Sequence, residues 1–290
     1  MPTISENLCA SKGNHSPSDG DTELERLPRR LAASGAVKIR TKLGLISGGK
    51  ILDVATGTGD FINTMMKALK DYDCFVGVDI LEKDLESAKK QFRGQPVKLM
   101  KMNAESLEFA DNSFDTVCMA YSLHHLKRVE RVLAEMRRVL RPGGNLIIQE
   151  ELCDGKQTEA QKTNLLQHTW DAEIDSLLGQ IHNPTFTKHR IQKVIDNLQL
   201  DPVEIFESTH PVECLFCERK FRCDNPKNEE NIDSSIKEID DNLKRLREVA
   251  DSTASIRLQE RGEQLKQRNE KFGNDHPSIL FAIGRKAYTR

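Results

Sequence analysis

The sequence predicts an α/β protein built on a seven-stranded, mostly parallel sheet with helices on both faces. Short apolar runs alternate along the chain with amphipathic stretches, the pattern of right-handed strand–helix–strand units. Turn residues rich in glycine separate these segments. The clearest example is Ile51-Leu-Asp-Val-Ala-Thr-Gly-Thr-Gly-Asp60, in which an apolar strand ends at a tight turn that leads into a helix.

The predicted elements follow in order from apolar periodicity and turn residues. Residues 1–20 are rich in Ser, Asn, Gly and Asp and are expected to be disordered, and a helical stripe covers residues 24–45. Arg141-Pro-Gly-Gly144 is expected to form a turn. After the first strand, strands are predicted at 74–79, 97–102, 114–120, 145–149, 202–207 and 278–284, and helices at 61–69, 82–92, 126–140 and over most of 156–198.

A long block separates the last two predicted strands and suggests a division of the chain. We predict a main domain at residues 21–208, a cysteine-containing helical insertion at 209–276, and the final strand within 277–290. Apolar residues in the insertion follow a 4-3-4-3 spacing: Ile232, Ile236, Ile239, Leu243 and Leu246. Such a seam fits either one or two helices packed on the main domain or a coiled coil that forms a homodimer.

Composition excludes several classes of partner. The net charge of −2 leaves no broad basic surface, so nucleic acid is not expected to bind. No apolar run approaches the length of a membrane span. The first residues lack a basic segment followed by an apolar one, and the seven cysteines are scattered, so a cytoplasmic location is expected rather than secretion with a disulfide framework.

The glycine turn limits the kind of ligand that it can hold. Gly57 and Gly59 allow a sharp turn and a close approach, and the N–H groups of the following helix face an anionic ligand group. A dinucleotide-binding turn would carry a third glycine at the position of Ile62. Asp79 ends the next strand twenty residues after Gly59, where an acid can accept from two ribose hydroxyls. The pattern therefore predicts a nucleoside cofactor without a pyrophosphate, and S-adenosyl-L-methionine fits.

Four motifs in order resemble those of the class I S-adenosylmethionine-dependent methyltransferases. They are Asp53-Val-Ala-Thr-Gly-Thr-Gly59, the acid Asp79, residues 103–115, and Leu140-Arg-Pro-Gly-Gly144. The resemblance covers about residues 45–208 and the last strand near 278–286. It implies a Rossmann-like sheet that binds the cofactor at the carboxyl ends of its first four strands.

The resemblance also implies which residues bind the cofactor. The glycine turn would lie under the methionine part, Asp79 would bind the ribose, Ile80 would pack on the adenine, and Asn103 would read its edge. Many relatives have Asp at position 103, and the amide oxygen of Asn can also accept a hydrogen bond. The full set of cofactor-binding candidates is Asp53, Thr56, Gly57, Thr58, Gly59, Asp79, Ile80, Asn103, Ala104, Glu105, Ala120 and Tyr121.

The segment after the fourth predicted strand gives information about the class of methyl acceptor. Residues 103–115 are similar to those of the quinone C-methyltransferases, which typically carry Gly-Leu-Arg-Asn after that strand, whereas this chain has Ser122-Leu-His-His-Leu126. The broader small-molecule group commonly shows the His-His-Leu form. His124 or His125 is a candidate base because histidine titrates near neutral pH. Relatives place the region with His168, Trp170, Asp171, Glu173 and His182 over the acceptor pocket.

A cysteine cluster in the insertion predicts a possible metal site. His210, Cys214, Cys217 and Cys223 have a spacing suited to zinc or an iron–sulfur cluster, with Cys153 as another candidate ligand. Free thiols, or thiols that hold a metalloid substrate such as arsenite, are the alternatives.

The function predicted from these features is methyl transfer from S-adenosylmethionine to a small-molecule acceptor. One alternative is a protein of the same fold that binds the cofactor or a protein partner through the insertion without catalysis. A lesser alternative is methylation of a thiol-bound metalloid such as arsenite.

Overall fold

A computed structural model of the chain describes residues 27–216, 225–247 and 253–288. Its strands are β1 (Lys50–Val54), β2 (Cys74–Asp79), β3 (Val97–Lys101), β4 (Phe114–Ala120), β5 (Leu140–Glu151), β6 (Leu200–Ser208) and β7 (Ile279–Lys286). They form one sheet in the order β3-β2-β1-β4-β5-β7-β6. Strands β1 to β5 pair in parallel, whereas β7 is antiparallel to both of its neighbours, β5 and β6. The predicted seven-stranded, mostly parallel sheet is thus confirmed.

Helices cover both faces of this sheet. They are α1 (Arg29–Ala32), α2 (Ala36–Leu43), α3 (Asp60–Ala68), α4 (Glu82–Gln91), α5 (Val129–Val139), α6 (Glu159–Leu177), α7 (Lys188–Asp196), α8 (Glu229–Arg247) and α9 (Thr253–Phe272), with short 3-10 helices at Leu123–His125 and Val212–Phe216. Apolar residues of α5 and α7 pack with β1, β2 and β4 in one core cluster, and those of α2 and α3 belong to a second cluster. The strands between them are buried on both sides, as parallel sheets require.

The strand order reverses between β1 and β4, and this reversal positions the ligand site. From β1 the chain moves outward through β2 and β3, then crosses back to β4 on the other side of β1. The loops that leave β1 and β4 therefore diverge and open a crevice at the carboxyl ends of these two strands. This is the edge of the sheet at which the glycine turn lies.

Three predicted boundaries differ from the structure. The stripe at 24–45 is broken after α1 because Gly35, at φ 98°, lies so close to β6 that a Cβ there would be 2.5 Å from the Glu207 carbonyl oxygen. The helical region 156–198 is divided by a loop that contains Gly179, at φ 79°. The expected turn at 141–144 instead belongs to β5, within an irregularity of its pairing with β4.

Two helices, α8 and α9, lie between β6 and β7 and pack against α6. Their shared core consists of Trp170, Ile174, Ile239, Leu243, Leu246, Leu258 and Leu265. The indole Nε1–H of Trp170 donates to the Leu258 carbonyl oxygen at 2.7 Å. Residues of the 4-3-4-3 seam therefore make contacts inside the chain, which agrees with the first of the two interpretations of that spacing. The expected disorder of residues 1–20 lies outside the described residues.

Two further features bear on the sequence-based expectations. None of the described helices combines the length and apolar character needed to cross a membrane. Cys118 and Cys153 are free cysteines, whereas Cys74 is disulfide-bonded. This bond differs from the expectation that the scattered cysteines form no disulfide framework.

Candidate active site

A cavity of about 390 Å³ opens at the carboxyl ends of β1 and β4. Its wall combines residues from the glycine turn, the end of β4, the end of β5 and the segments that flank α8 and α9. The lining residues are Asp53, Ala55, Thr56, Gly57, Thr58, Asp60, Phe61, Ala120, Tyr121, Glu151, Pro211, Glu213, Cys214 and His276. Of the predicted cofactor-binding residues, those of the glycine turn and of the end of β4 meet here.

The glycine turn has a backbone that only some residue types adopt readily. Gly57 and Gly59 have φ of 51° and 89°, in the left-handed region. A Cβ at Gly59 would be 2.3 Å from Cε2 of Phe92, so this glycine permits close packing of α3. A Cβ at Gly57 would meet no atom of the described residues within 4 Å. Gly57 is thus open toward a ligand, whereas Gly59 serves the fold.

The Asp79 carboxylate is hydrogen-bonded to the glycine turn. The Gly57 N–H donates to its Oδ2 at 2.8 Å, and the Leu81 N–H donates to its Oδ1 at 2.9 Å. Each carboxylate oxygen can accept a second hydrogen bond, so Asp79 retains capacity for two hydroxyl donors. The next residue, Ile80, leaves 60% of its surface exposed, as a residue that packs on a flat ring would.

Asp53 lies beneath the turn and is almost completely buried. Its Oδ2 accepts from the Thr56 hydroxyl at 2.5 Å, and its Oδ1 accepts from the Cys118 thiol at 3.4 Å. Burial raises the pKa of the Asp53 carboxyl to about 7, against the opposing effect of these hydrogen bonds. Asp53 therefore holds the turn in place and carries a proton for part of the neutral pH range.

Acidic groups that the sequence analysis did not single out line the rest of the cavity. Glu213 accepts from the Gln149 amide at 2.7 Å and from the Tyr121 hydroxyl at 3.4 Å. Burial, and then the neighbouring Glu150, raise the pKa of Glu151 to about 8, and burial also raises that of Glu213. Burial and the nearby carboxylates hold the pKa of Tyr121 well above its ordinary value. No sequence pattern joins these residues, because Tyr121 and Glu213 are 92 positions apart.

The residues predicted to read the adenine lie beside the cavity and do not line it. Asn103 Oδ1 accepts from the Glu105 N–H at 2.9 Å, which closes a local turn. The Glu105 carboxylate is paired with Arg128, and its carbonyl oxygen accepts from Arg131 Nε at 2.9 Å. The Glu105 side chain is thus bound to the start of α5, and a contact of the cofactor with residues 103–105 stays a prediction.

His124 and His125 also lie away from this cavity, in a group of four histidines with His168 and His182. Three of these rings border a second cavity of about 480 Å³, which shares no lining residue with the first. Burial is the main cause that lowers the pKa of His124, His125 and His168 to about 3. These imidazoles are therefore neutral at physiological pH.

Two members of the predicted cysteine site, Cys217 and Cys223, lie outside the described residues. His210 faces the Thr209 hydroxyl, with 3.1 Å between that oxygen and its Nδ1. Cys214 is buried beside the first cavity. Within the described ranges, the side chains grouped tightly enough to hold a metal ion are the four histidines, and His210, Cys214 and Cys153 are not among them. A cysteine-ligated metal stays a prediction.

Comparison with known proteins gives a family match for the central part of the chain. Residues 52–148 match the family described as methyltransferase domain. The ubiquinone/menaquinone biosynthesis C-methyltransferase of Desulfotalea psychrophila is 40% identical over 106 residues, which are 37% of this chain and 43% of that protein. The match therefore spans less than half the length of this relative.

Solved structures resemble the whole fold at low sequence identity. A protein from Bacillus halodurans C-125, described as a proposed methyltransferase, has a TM-score of 0.50 and 19% identity, with 87% of this chain and 99% of that one covered. Phosphoethanolamine N-methyltransferase 2 of Haemonchus contortus, in complex with phosphomonomethylethanolamine and S-adenosylhomocysteine, has a TM-score of 0.50 and 17% identity, covering 93% and 57%. At these low sequence identities, the similarities show that the fold is shared and nothing more.

Proposed function

We propose that the protein transfers a methyl group from S-adenosylmethionine to a small-molecule acceptor, on the premise that residues 52–148 match the methyltransferase domain family. The observation that carries the proposal is the cavity at the carboxyl ends of β1 and β4, with Gly57 open toward it. Its volume of about 390 Å³ lies in the range of small-molecule sites.

The residues present fit this cofactor. Gly57 leaves space where a side chain would stand, and Asp79 has accepting capacity for the hydroxyl groups of a ribose. When bound, S-adenosylmethionine supplies an activated methyl group on a sulfonium. A bound cation would favour ionisation of the acidic groups around the cavity, whereas an anion such as a pyrophosphate would oppose it.

The acidic side chains in the cavity wall are the groups that we propose remove a proton from the methyl acceptor. A carboxyl group with a pKa of about 8, such as Glu151, is partly ionised near neutral pH and can accept a proton from the acceptor. Tyr121, the residue after β4, lies on the same wall, and its hydroxyl donates a hydrogen bond to Glu213. His124 and His125, the base candidates from the sequence, contribute no atom to this wall. We therefore propose Glu151, rather than either histidine, as the proton acceptor.

The test measures binding first and turnover second. Calorimetry should detect binding of S-adenosylmethionine and S-adenosylhomocysteine but not of NAD. Asp79→Ala should weaken this binding by roughly 1.5–3 kcal/mol because it removes hydrogen bonds to a charged group. Glu86→Gln, on the exposed face of α4, is the matched control and should leave affinity unchanged.

Turnover is then sought with a methyl-labelled cofactor and pooled metabolites. Labelled product together with S-adenosylhomocysteine would support the proposal. A chain that binds the cofactor but methylates no compound in any pool would favour the non-catalytic alternative. Equal affinity for Asp79→Ala would remove Asp79 from the site.

We do not propose the homodimer through the 4-3-4-3 seam. Ile239, Leu243 and Leu246 are buried against α6 and α9, so these side chains cannot also form the core of a coiled coil between chains.

A further inference from the structure

The four histidines His124, His125, His168 and His182 come from three separate parts of the chain. The first two form the 3-10 helix after β4, the third lies on α6, and the fourth lies in the loop between α6 and α7. One ring nitrogen from each lies within 4.8 Å of the others. His124 Nε2 is 3.2 Å from His168 Nε2, which is 3.3 Å from His182 Nε2.

Carboxylates determine where the protons of two of these rings lie. Glu150 Oε1 is 3.1 Å from Nδ1 of His124, and Asp175 Oδ2 is 2.8 Å from Nδ1 of His182. An ionised carboxylate accepts, so opposite an ionised Glu150 or Asp175 each Nδ1 carries the hydrogen, and a neutral ring then has its lone pair on Nε2. Both lone pairs are directed at His168 Nε2. That single atom can donate to only one of them, so a contact between two acceptors remains unless a cation lies among the three nitrogens.

The spacing agrees with such a cation. For a tetrahedral zinc ion with Zn–N distances of about 2.0–2.1 Å, neighbouring ligand nitrogens are about 3.3–3.4 Å apart. The separations of 3.2 and 3.3 Å are close to this value, and the four candidate ligand nitrogens all lie within 4.8 Å of one another. Carboxylate groups behind His124 and His182 reproduce the usual arrangement in which an acid orients a metal-binding histidine.

The surrounding structure fixes the site and leaves a path to it. The backbone N–H of Asn183 donates to the His124 carbonyl oxygen at 2.8 Å, which holds the loop with His182 against the 3-10 helix. Arg245 of α8 donates to the other oxygen of Asp175 at 2.5 Å. The cavity of about 480 Å³ reaches His125, His168 and His182. A hydrated ion can enter from this side.

We propose that His124, His125, His168 and His182 bind one divalent transition-metal ion, with zinc as the expected species. An all-imidazole set favours zinc, copper, nickel and iron over magnesium and calcium, which prefer oxygen ligands. The ion would join the 3-10 helix after β4 to α6 and to the loop that follows α6.

Metal analysis of the full chain tests the proposal first. The protein is purified without chelator and with an affinity tag that contains no histidine. We expect about one zinc ion per chain, as one tetrahedral site requires. Exchange for Co²⁺ should give the visible bands of a tetrahedral ion without the intense near-ultraviolet charge-transfer band of thiolate ligands, which separates this site from the cysteine cluster.

Variants then identify the ligands. His168→Gln and His182→Gln should each lower the affinity for Zn²⁺ by more than about 100-fold, and Asp175→Asn should lower it about 10–100-fold. His189→Gln is the matched control, because this exposed histidine on α7 lies outside the group. Cys217→Ser should leave zinc content unchanged.

Two results would overturn the proposal. One is a Zn²⁺ affinity of His168→Gln and His182→Gln equal to that of the unaltered protein. The other is loss of zinc in Cys217→Ser together with a thiolate charge-transfer band. If His168→Gln does not fold, His182→Gln and Asp175→Asn carry the test, because the side chains of His182 and Asp175 are partly exposed.

Discussion

Single residues at the ends of β1 and β4 have backbone conformations that are unusual for their type. Ala55 and Tyr121 have φ of 56° and 50°, although neither is glycine. Both residues line the cavity, and the Tyr121 hydroxyl also donates a hydrogen bond to Glu213. Strain of this kind persists where the surrounding structure imposes it, and it is common at functional sites. In this protein the two strained residues lie where the chain leaves β1 and β4, and both segments border the same cavity.

Gly57 and Gly59 should respond differently to the same substitution. Gly57→Ala should lower the free energy of unfolding by only about 1 kcal/mol, the cost of a left-handed backbone, because the added Cβ would meet no described atom. The same substitution should clearly weaken the binding of S-adenosylhomocysteine. Gly59→Ala should destabilise the fold more, because its Cβ would lie 2.3 Å from the Phe92 ring. Urea unfolding and calorimetry on both variants provide the measurements. Equal ligand affinity in Gly57→Ala would exclude this glycine from the cofactor site.

The buried carboxyl of Asp53 should make stability depend on pH. Its pKa is 3.8 in the unfolded reference and about 7 in the fold, so between these values the folded chain keeps a proton that the unfolded chain has released. Stability therefore falls as pH rises through this window and remains lower above it. In Asp53→Asn, this contribution should disappear, and the free energy of unfolding should change less between pH 5 and pH 8.

Urea unfolding at the two pH values measures the effect. Glu86→Gln on the exposed face of α4 is the control and should retain the pH dependence of the unaltered protein. A pH dependence that is identical in Asp53→Asn would mean that Asp53 is ionised in the fold.

At the scale of elements, α6, α8 and α9 form a unit around Trp170. Gly262 of α9 brings the helices close, since a Cβ there would lie 2.8 Å from both Leu243 Cδ2 and Trp170 Cζ2. The sequence pattern indicated helices with an apolar stripe but could not identify the surface that covers the stripe. The covering residues belong to α6, far away in sequence, so tertiary packing made that choice.

The packing of α8 should matter for stability and little for the cofactor. Leu243→Ala should lower the free energy of unfolding by about 2–5 kcal/mol, because a buried side chain is lost between helices. Affinity for S-adenosylhomocysteine should change by less than about 1 kcal/mol, as Leu243 does not line the cofactor cavity. Lys244→Ala, the exposed neighbour on the same helix, should change neither quantity noticeably. Loss of binding in folded Leu243→Ala would show that the two regions are coupled.

For the whole molecule, the cavity at the carboxyl ends of β1 and β4 is assembled from distant segments. The turn after β1, the ends of β4 and β5, and the segment around Glu213 all contribute to it. The start and end of the predicted insertion, at Glu213 and His276, thus lie on the cavity wall, although the sequence motifs for the cofactor all precede them. A ligand in this cavity would therefore lie against segments from both halves of the chain.

Ligand binding should therefore stabilise the whole chain. With S-adenosylhomocysteine at 100 times its Kd, the gain is about 2.7 kcal/mol, which corresponds to a rise in Tm of roughly 5–10 °C for a protein of this size. Differential scanning calorimetry measures the shift, with NAD at the same concentration as the control. An unchanged Tm at a concentration that saturates binding would indicate that the ligand also binds unfolded chains or lies outside the cooperative core.

The sequence by itself determined the features that depend on neighbouring residues. Apolar periodicity predicted the strands and helices, and the run from Asp53 to Gly59 with Asp79 predicted the ligand edge of the sheet, because turn geometry and strand ends are local properties. Only the tertiary structure brought Glu151 and Glu213 to Tyr121, and His182 to His124. These groups lie 30 to 92 positions apart in the sequence. Their contacts, burial and pKa values arise from the packing of separate elements, which no local pattern encodes.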